Sequence, residues 1–251
     1  MNALPPAPWS TPRPFAPRSV GLDQFPLLMR ESAALLGAAP ARLTALFLLV
    51  FVPVQLLPNV PYIGMALREA LASIGFAGFF VALASARQAR RPTILDMAQA
   101  WRLPGDKLLL LVASGLVPLL FVLLVWWLDL GGAQLDALLS GRGPEGVLPE
   151  RQQLEFVVIF NLVGMPLLFV QPLCVLYAWS ATRTLSANLL AWHANWRWAL
   201  VIALVLIPIA IGLDSFDPGS ISEILLSLIS EVVVEIALSA FTLVLLEHSL
   251  Q

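Results

Sequence analysis

Charge is what this sequence has least of. Asp, Glu, Lys and Arg make up only 12% of its 251 residues, against 59% hydrophobic ones, whereas a soluble domain carries about 25% charged residues. Water does not keep so apolar a surface dispersed, so the solvent is a bilayer, where only helices and closed barrels satisfy their own backbone. The apolar runs are continuous and lack the period-two alternation of barrel strands, which excludes a β-barrel. Cys174 is the single cysteine and sits in an apolar run. It forms no intrachain disulfide and reads as a small packed hydrophobe. With only His193 and His248 beside it, no standard zinc or haem site can be assembled, and neither metal nor cofactor is expected. Lysine is almost absent, Lys107 standing against 13 arginines, a bias that suggests a GC-rich bacterial genome. The net charge of −2 gives no pull towards nucleic acid. No P-loop, GxSxG, HExxH or dinucleotide-binding fingerprint occurs, so no catalytic residue is assigned. The first 20 residues hold no apolar core and do not form a signal peptide. Rich in proline, they read as a disordered cytoplasmic tail.

What is present is a series of apolar stretches near the roughly 20 residues a spanning helix needs. Six are read, over 41–57, 62–86, 107–130, 154–179, 198–213 and 221–247. The expected fold is therefore all-α, a polytopic bundle of six transmembrane helices occupying residues 21–251. Of the basic residues, 11 flank one side of this layout and only Arg68, Arg142 and Arg151 the other. Under the positive-inside rule both termini are cytoplasmic, and the bacterial inner membrane is the expected location.

Three segments before spans are amphipathic, over 22–36, 93–101 and 185–196. Each is expected to lie in the cytoplasmic interface with its apolar side down. Phe25, Leu28, Leu35 and Leu36 share a face of the first; Ile94, Leu95, Met97 and Trp101 gather in the second; Leu189, Leu190 and Trp192 in the third. Leu36 to Pro53, Trp101 to Pro118 and Trp192 to Pro208 are 17, 17 and 16 residues apart, which suggests a threefold internal repeat of interfacial helix, membrane helix, membrane helix. Arg91-Pro92 followed by ILDMAQAW, and LSANLLAWHANWRWAL with its Asn195-Trp196 pair, resemble an uncharacterised proteobacterial family of six-helix inner-membrane proteins. That family is similar in turn to a group including Yip-type proteins and the membrane domain of glycerophosphodiesterases. The resemblance covers residues 21–250, implies the architecture and brings no catalytic residue with it.

The last span carries the most unusual chemistry. Glu223, Ser227, Glu231, Glu235 and Ser239 recur every four residues and so share a slowly drifting face of a helix. An ionised, unpaired carboxylate in hydrocarbon costs several kcal/mol. Glu231 and Glu235 must therefore be protonated, paired or facing water. They form either a proton or cation site or a structural polar seam. Arg68, next to Glu69 inside the second span, would meet Glu223 or Glu231 if spans two and six pack together, and otherwise pairs locally or snorkels. The fourth span holds Asn161, Gly164, Pro166, Gln171 and Pro172, and its prolines should bend or break it. Asn161 and Gln171 are candidates for interhelical hydrogen bonds or for the lining of a pathway. Arg87, Arg90 and Arg91 either contact anionic lipid headgroups or serve only to set topology. The leading expectation is a non-catalytic accessory, assembly or lipid-interacting subunit, whose partners are the bilayer and a membrane protein or a second copy of the chain. The competing expectation is a small proton- or cation-coupled transporter or channel using the acidic stripe.

Overall fold

The computed structural model describes residues 17–140, 150–214 and 221–250, apart from the side chains of 59, 150, 153, 206, 210–214 and 221–228. The described chain is an all-α bundle. Its helices are α1 (Phe25–Gly37), α2 (Pro40–Gln55), α3 (Gly64–Arg87), α4 (Ile94–Met97), α5 (Gly105–Leu130), α6 (Gly132–Leu139), α7 (Glu150–Gly164), α8 (Val170–Leu176), α9 (Ala181–Ala194), α10 (Trp196–Asp214) and α11 (Ile221–Ser249). Four spans are long and apolar enough to cross a membrane alone: α3, α5, α11 and the α7–α8 run over Leu154–Leu176. The count reaches six if α1 with α2, bent by 86°, and α9 with α10, bent by 78°, each make one span. α2 has 16 residues, about 24 Å at 1.5 Å per residue, short of a hydrocarbon layer of about 30 Å.

α3 is the centre of the bundle, with α2, α5, α8 and α11 packed around it. Its composition explains this. Ala72, Ser73, Gly75, Ala77, Gly78, Ala82 and Ala84 are small and buried, and small residues let membrane helices approach closely. Gly115 of α5 is one such approach: a Cβ there would lie 2.5 Å from the carbonyl oxygen of Glu69. Gly115→Ala should therefore separate α3 from α5 and destabilise the bundle by about 1–3 kcal/mol. Denaturant titration of the detergent-solubilised protein measures this, and unchanged stability would show that the two helices are not in contact. The outer faces are the opposite of α3. Leu109, Leu120, Leu124, Leu128 and Leu204 are exposed, as lipid-facing residues are.

The prolines act as the sequence predicts in α7–α8. α7 ends at Gly164, Met165–Leu167 form a 3-10 turn, and α8 begins at Val170 with Pro172 in its first turn, where a missing N–H costs no helical bond. The groups freed by the break are taken up by Asn188 of α9. Its amide donates to Pro166 O at 2.6 Å and its Oδ1 accepts from Phe169 N at 3.0 Å.

The amphipathic segments take two different orientations. In α9 the protein-facing residues are Thr184, Ala187, Asn188 and Ala191, leaving Leu189 and Leu190 exposed, and Ile94, Leu95 and Trp101 are exposed too. α1 instead turns Leu28 and Leu35 into the bundle core. Of Phe25, Leu28, Leu35 and Leu36 only Phe25 is exposed, and it stacks on Trp198 with ring centroids 5.9 Å apart. The difference follows from α11, which packs along α1 and covers that face. Residues 1–16 of the proline-rich tail lie outside the described residues. The last of the 20 do not hang free: Arg18 N donates to Ser249 O, Val20 N to Asn195 Oδ1, and the Trp198 indole to Val20 O.

At this end of the bundle one ionic cluster ties three helices. Arg87 of α3 lies 2.6 Å from Glu31 of α1 and 3.3 Å from Glu247 of α11, and His248 lies 3.3 Å from the other oxygen of Glu31. Partial burial works to raise the Glu31 pKa. The hydrogen bonds and positive charge of Arg87 and His248 outweigh it and hold Glu31 below its ordinary value of 4.5. A carboxylate lowered in the folded state stabilises fully above its unfolded pKa and loses that contribution as pH falls through the folded one. The docking of α1 should thus loosen as pH falls below about 4.5, by an amount on the order of 1 kcal/mol for so exposed a pair. Hydrogen exchange of residues 25–37 against pH reads this out, and an Arg87→Gln protein should show a flatter profile. A profile identical in the two proteins would remove Arg87 from the account.

Candidate intramembrane polar site

Polar side chains from five helices converge on one cavity of about 230 Å³ inside the bundle. α3 supplies Glu69 and Ser73, α5 supplies Ser114, and α7 and α8 supply Asn161 and Gln171. Glu235, Ser239 and Thr242 come from α11. Each group arrives for a local reason. Glu69 and Ser73 lie four residues apart, on one face of α3. Gly115 and Gly164 also line the wall and leave room that side chains would fill. The break at Pro166 ends α7 just after Asn161 and begins α8 just before Gln171, so both amides meet the same space. Asn161 spends its own N–H on Val157 O, one turn back, at 2.7 Å. The four-residue steps of α11 carry Glu235 and Ser239 to one side, and Glu235 stands at the midpoint of that 29-residue helix.

Several charged groups stand at or near the cavity. Arg68 lies 3.0 Å from Glu69, its neighbour in sequence, which is the local pairing the sequence left open. Glu231 does not line the cavity; Gln55 of α2 donates to it at 3.0 Å. Arg68, Glu69 and Glu231 all act electrostatically on Glu235. The one guanidinium named here is taken up by Glu69 at 3.0 Å, and Glu235 feels Glu231 and Glu69 as well as Arg68. Among the described residues no three His, Cys, Asp or Glu side chains gather closely enough to hold a metal ion.

The remaining candidates divide as follows. Glu223 belongs to α11, and its side chain lies outside the described residues. Arg87 stands at the end of α3 away from Glu69 and, with Arg42, Arg90 and Arg91, borders a separate cleft. Sequence reasoning passed over Glu69 as a site residue, although its place beside Arg68 and four residues before Ser73 was the available signal. It also counted Lys107 as a flanking charge. Lys107 is buried, and its ammonium donates to Cys174 O at 2.7 Å and to Tyr177 O at 2.5 Å. The cation thus caps the end of α8 and fixes the helix that carries Gln171.

Comparison with known proteins gives no counterpart for this site: no protein-family model, no curated protein and no solved structure matches the chain.

Proposed function

We propose that this chain is a small integral membrane carrier or channel that couples a proton or monovalent cation to passage of a small polar solute. Glu235 is its central acceptor, and Glu69 and the amides of Asn161 and Gln171 are the surrounding ligands. One observation carries the reading: Glu69 and Glu235, on different helices, line one polar cavity inside apolar spans. A packing seam needs polar groups that meet each other. Here they surround space, and none of the described residues hydrogen-bonds the Glu235 carboxylate. The broken α7–α8 span fits the same reading, because discontinuous helices deliver polar groups and backbone to transport sites.

We place the protein in a bacterial inner membrane with both termini cytoplasmic. Arg18, Arg87 and Lys107 stand at one end of the bundle through their contacts with Ser249, Glu247 and Tyr177, and that end carries most of the basic flanks. Purified protein in liposomes enclosing a pH-sensitive dye tests the function. Protein-dependent proton movement on imposing a cation or solute gradient supports it. A further test is to place the chain's only thiol at Ser239 in a Cys174→Ala background. Labelling by a charged, membrane-impermeant reagent is expected. Complete protection in both membrane orientations, with no flux, would leave the accessory-subunit reading in its place.

A further inference from the structure

A second cavity, of about 570 Å³, opens at the Arg87 end between the α1–α2 bend and the end of α3. Its walls are unusually bare: Ala38, Ala39 and Ala41 on one side, Ala86 and Ala89 on the other. Around this space stand Arg42, Arg87, Arg90 and Arg91, and among the described residues no acidic side chain lines it. Arg87 is held from behind by Glu31 and Glu247. Arg42, Arg90 and Arg91 are exposed, and among the described residues none has an ion-pair partner. The first turn of α2 adds to the field. It starts at Pro40 and no side chain caps it, so its positive end is left to the cleft.

Three unpaired guanidinium groups around an alanine-walled space are complementary to one chemistry, a phosphate group that takes paired N–H donors. The surroundings choose its source. Just beyond Arg91 the chain exposes Ile94, Leu95 and Trp101, residues that sit at the boundary of hydrocarbon and headgroups. The cleft is thus at headgroup depth. We propose that it binds the phosphate of an anionic phospholipid headgroup, with Arg42, Arg90 and Arg91 as its ligands. This site is separate from the intramembrane cavity, and nothing in it depends on transport.

Native mass spectrometry of the full chain in mild detergent tests the assignment, with phosphatidylglycerol and phosphatidylcholine offered at equal concentration. Preferential retention of phosphatidylglycerol is expected. Each of Arg42→Gln, Arg90→Gln and Arg91→Gln should weaken it roughly fivefold, and the triple variant by about two orders of magnitude. All three residues are exposed, so the variants should keep the helical circular dichroism of the parent. Ala38→Trp fills the cleft while leaving every charge in place and should also weaken retention. Arg102→Gln, an exposed charge outside the cleft, should not. Equal loss with Arg102→Gln, or unchanged binding by Ala38→Trp, would reduce the effect to general surface charge and overturn the proposal. Full displacement of lipid by inorganic phosphate at the same molar concentration would overturn it too, by making the cleft a soluble-anion site.

Discussion

The Glu235→Gln protein, reconstituted in liposomes, is expected to fold normally and to lose at least about 100-fold of its coupled flux, the lower end of what a positioned proton-transfer group contributes. Folding should survive because the change removes a charge from a site with three carboxylates and one guanidinium. A neutral amide of the same shape avoids the desolvation cost of that carboxylate. Flux should not survive, because Gln cannot take up and release a proton. Glu231→Gln is the informative comparison. Glu231 lies one turn away, is absent from the cavity wall and already accepts a hydrogen bond from Gln55. Its replacement should cost much less. If both variants transported as the parent does, the acidic stripe would be a packing feature and the transport reading would fall. If both failed equally with helical content intact, the site would be the whole stripe and not the cavity.

The contrast between Glu231 and Glu235 marks where sequence stops being informative. A four-residue step states that the two acids share a face, but not where that face is directed. Rotation by the drift of a few residues sends Glu235 into the cavity and Glu231 towards Gln55. Local rules served well wherever the cause was local. Four of the six apolar runs became helices long and apolar enough to span a membrane, and Pro166 broke the fourth run at the expected place. Wherever the cause was packing they were incomplete. Leu28 and Leu35 were placed against lipid because an amphipathic helix with no visible partner belongs there. They lie in the core because α11 covers them. Asn188 was hidden among the interfacial residues of α9. Only the three-dimensional position of Pro166 shows why an amide is needed there.

Lys107 is the sharpest case, and it yields the largest stability effect expected in the molecule. As a topological charge it would be replaceable by any side chain at little cost to folding. As observed, its ammonium donates to the carbonyls of Cys174 and Tyr177 from a side chain that is 4% exposed. Met at this position has similar length and apolar volume but no donor. Lys107→Met would leave both carbonyls without their charged donor at the negative end of α8. Two charge-assisted bonds at about 1.5–3 kcal/mol each set the scale, so a loss of about 3–6 kcal/mol is expected. Lys107→Arg should recover only part of it, since a planar fork does not reproduce a single nitrogen between two carbonyls. Denaturant titration in mixed micelles measures the loss. Hydrogen exchange locates it, with faster exchange expected over residues 170–179. Because α8 carries Gln171 to the cavity, release of that helix should also lower flux while leaving Glu235 chemically intact. A Lys107→Met protein as stable as the parent would mean that the lysine does no more than mark the membrane boundary, and that the wall of the cavity is held by Asn188 and packing alone.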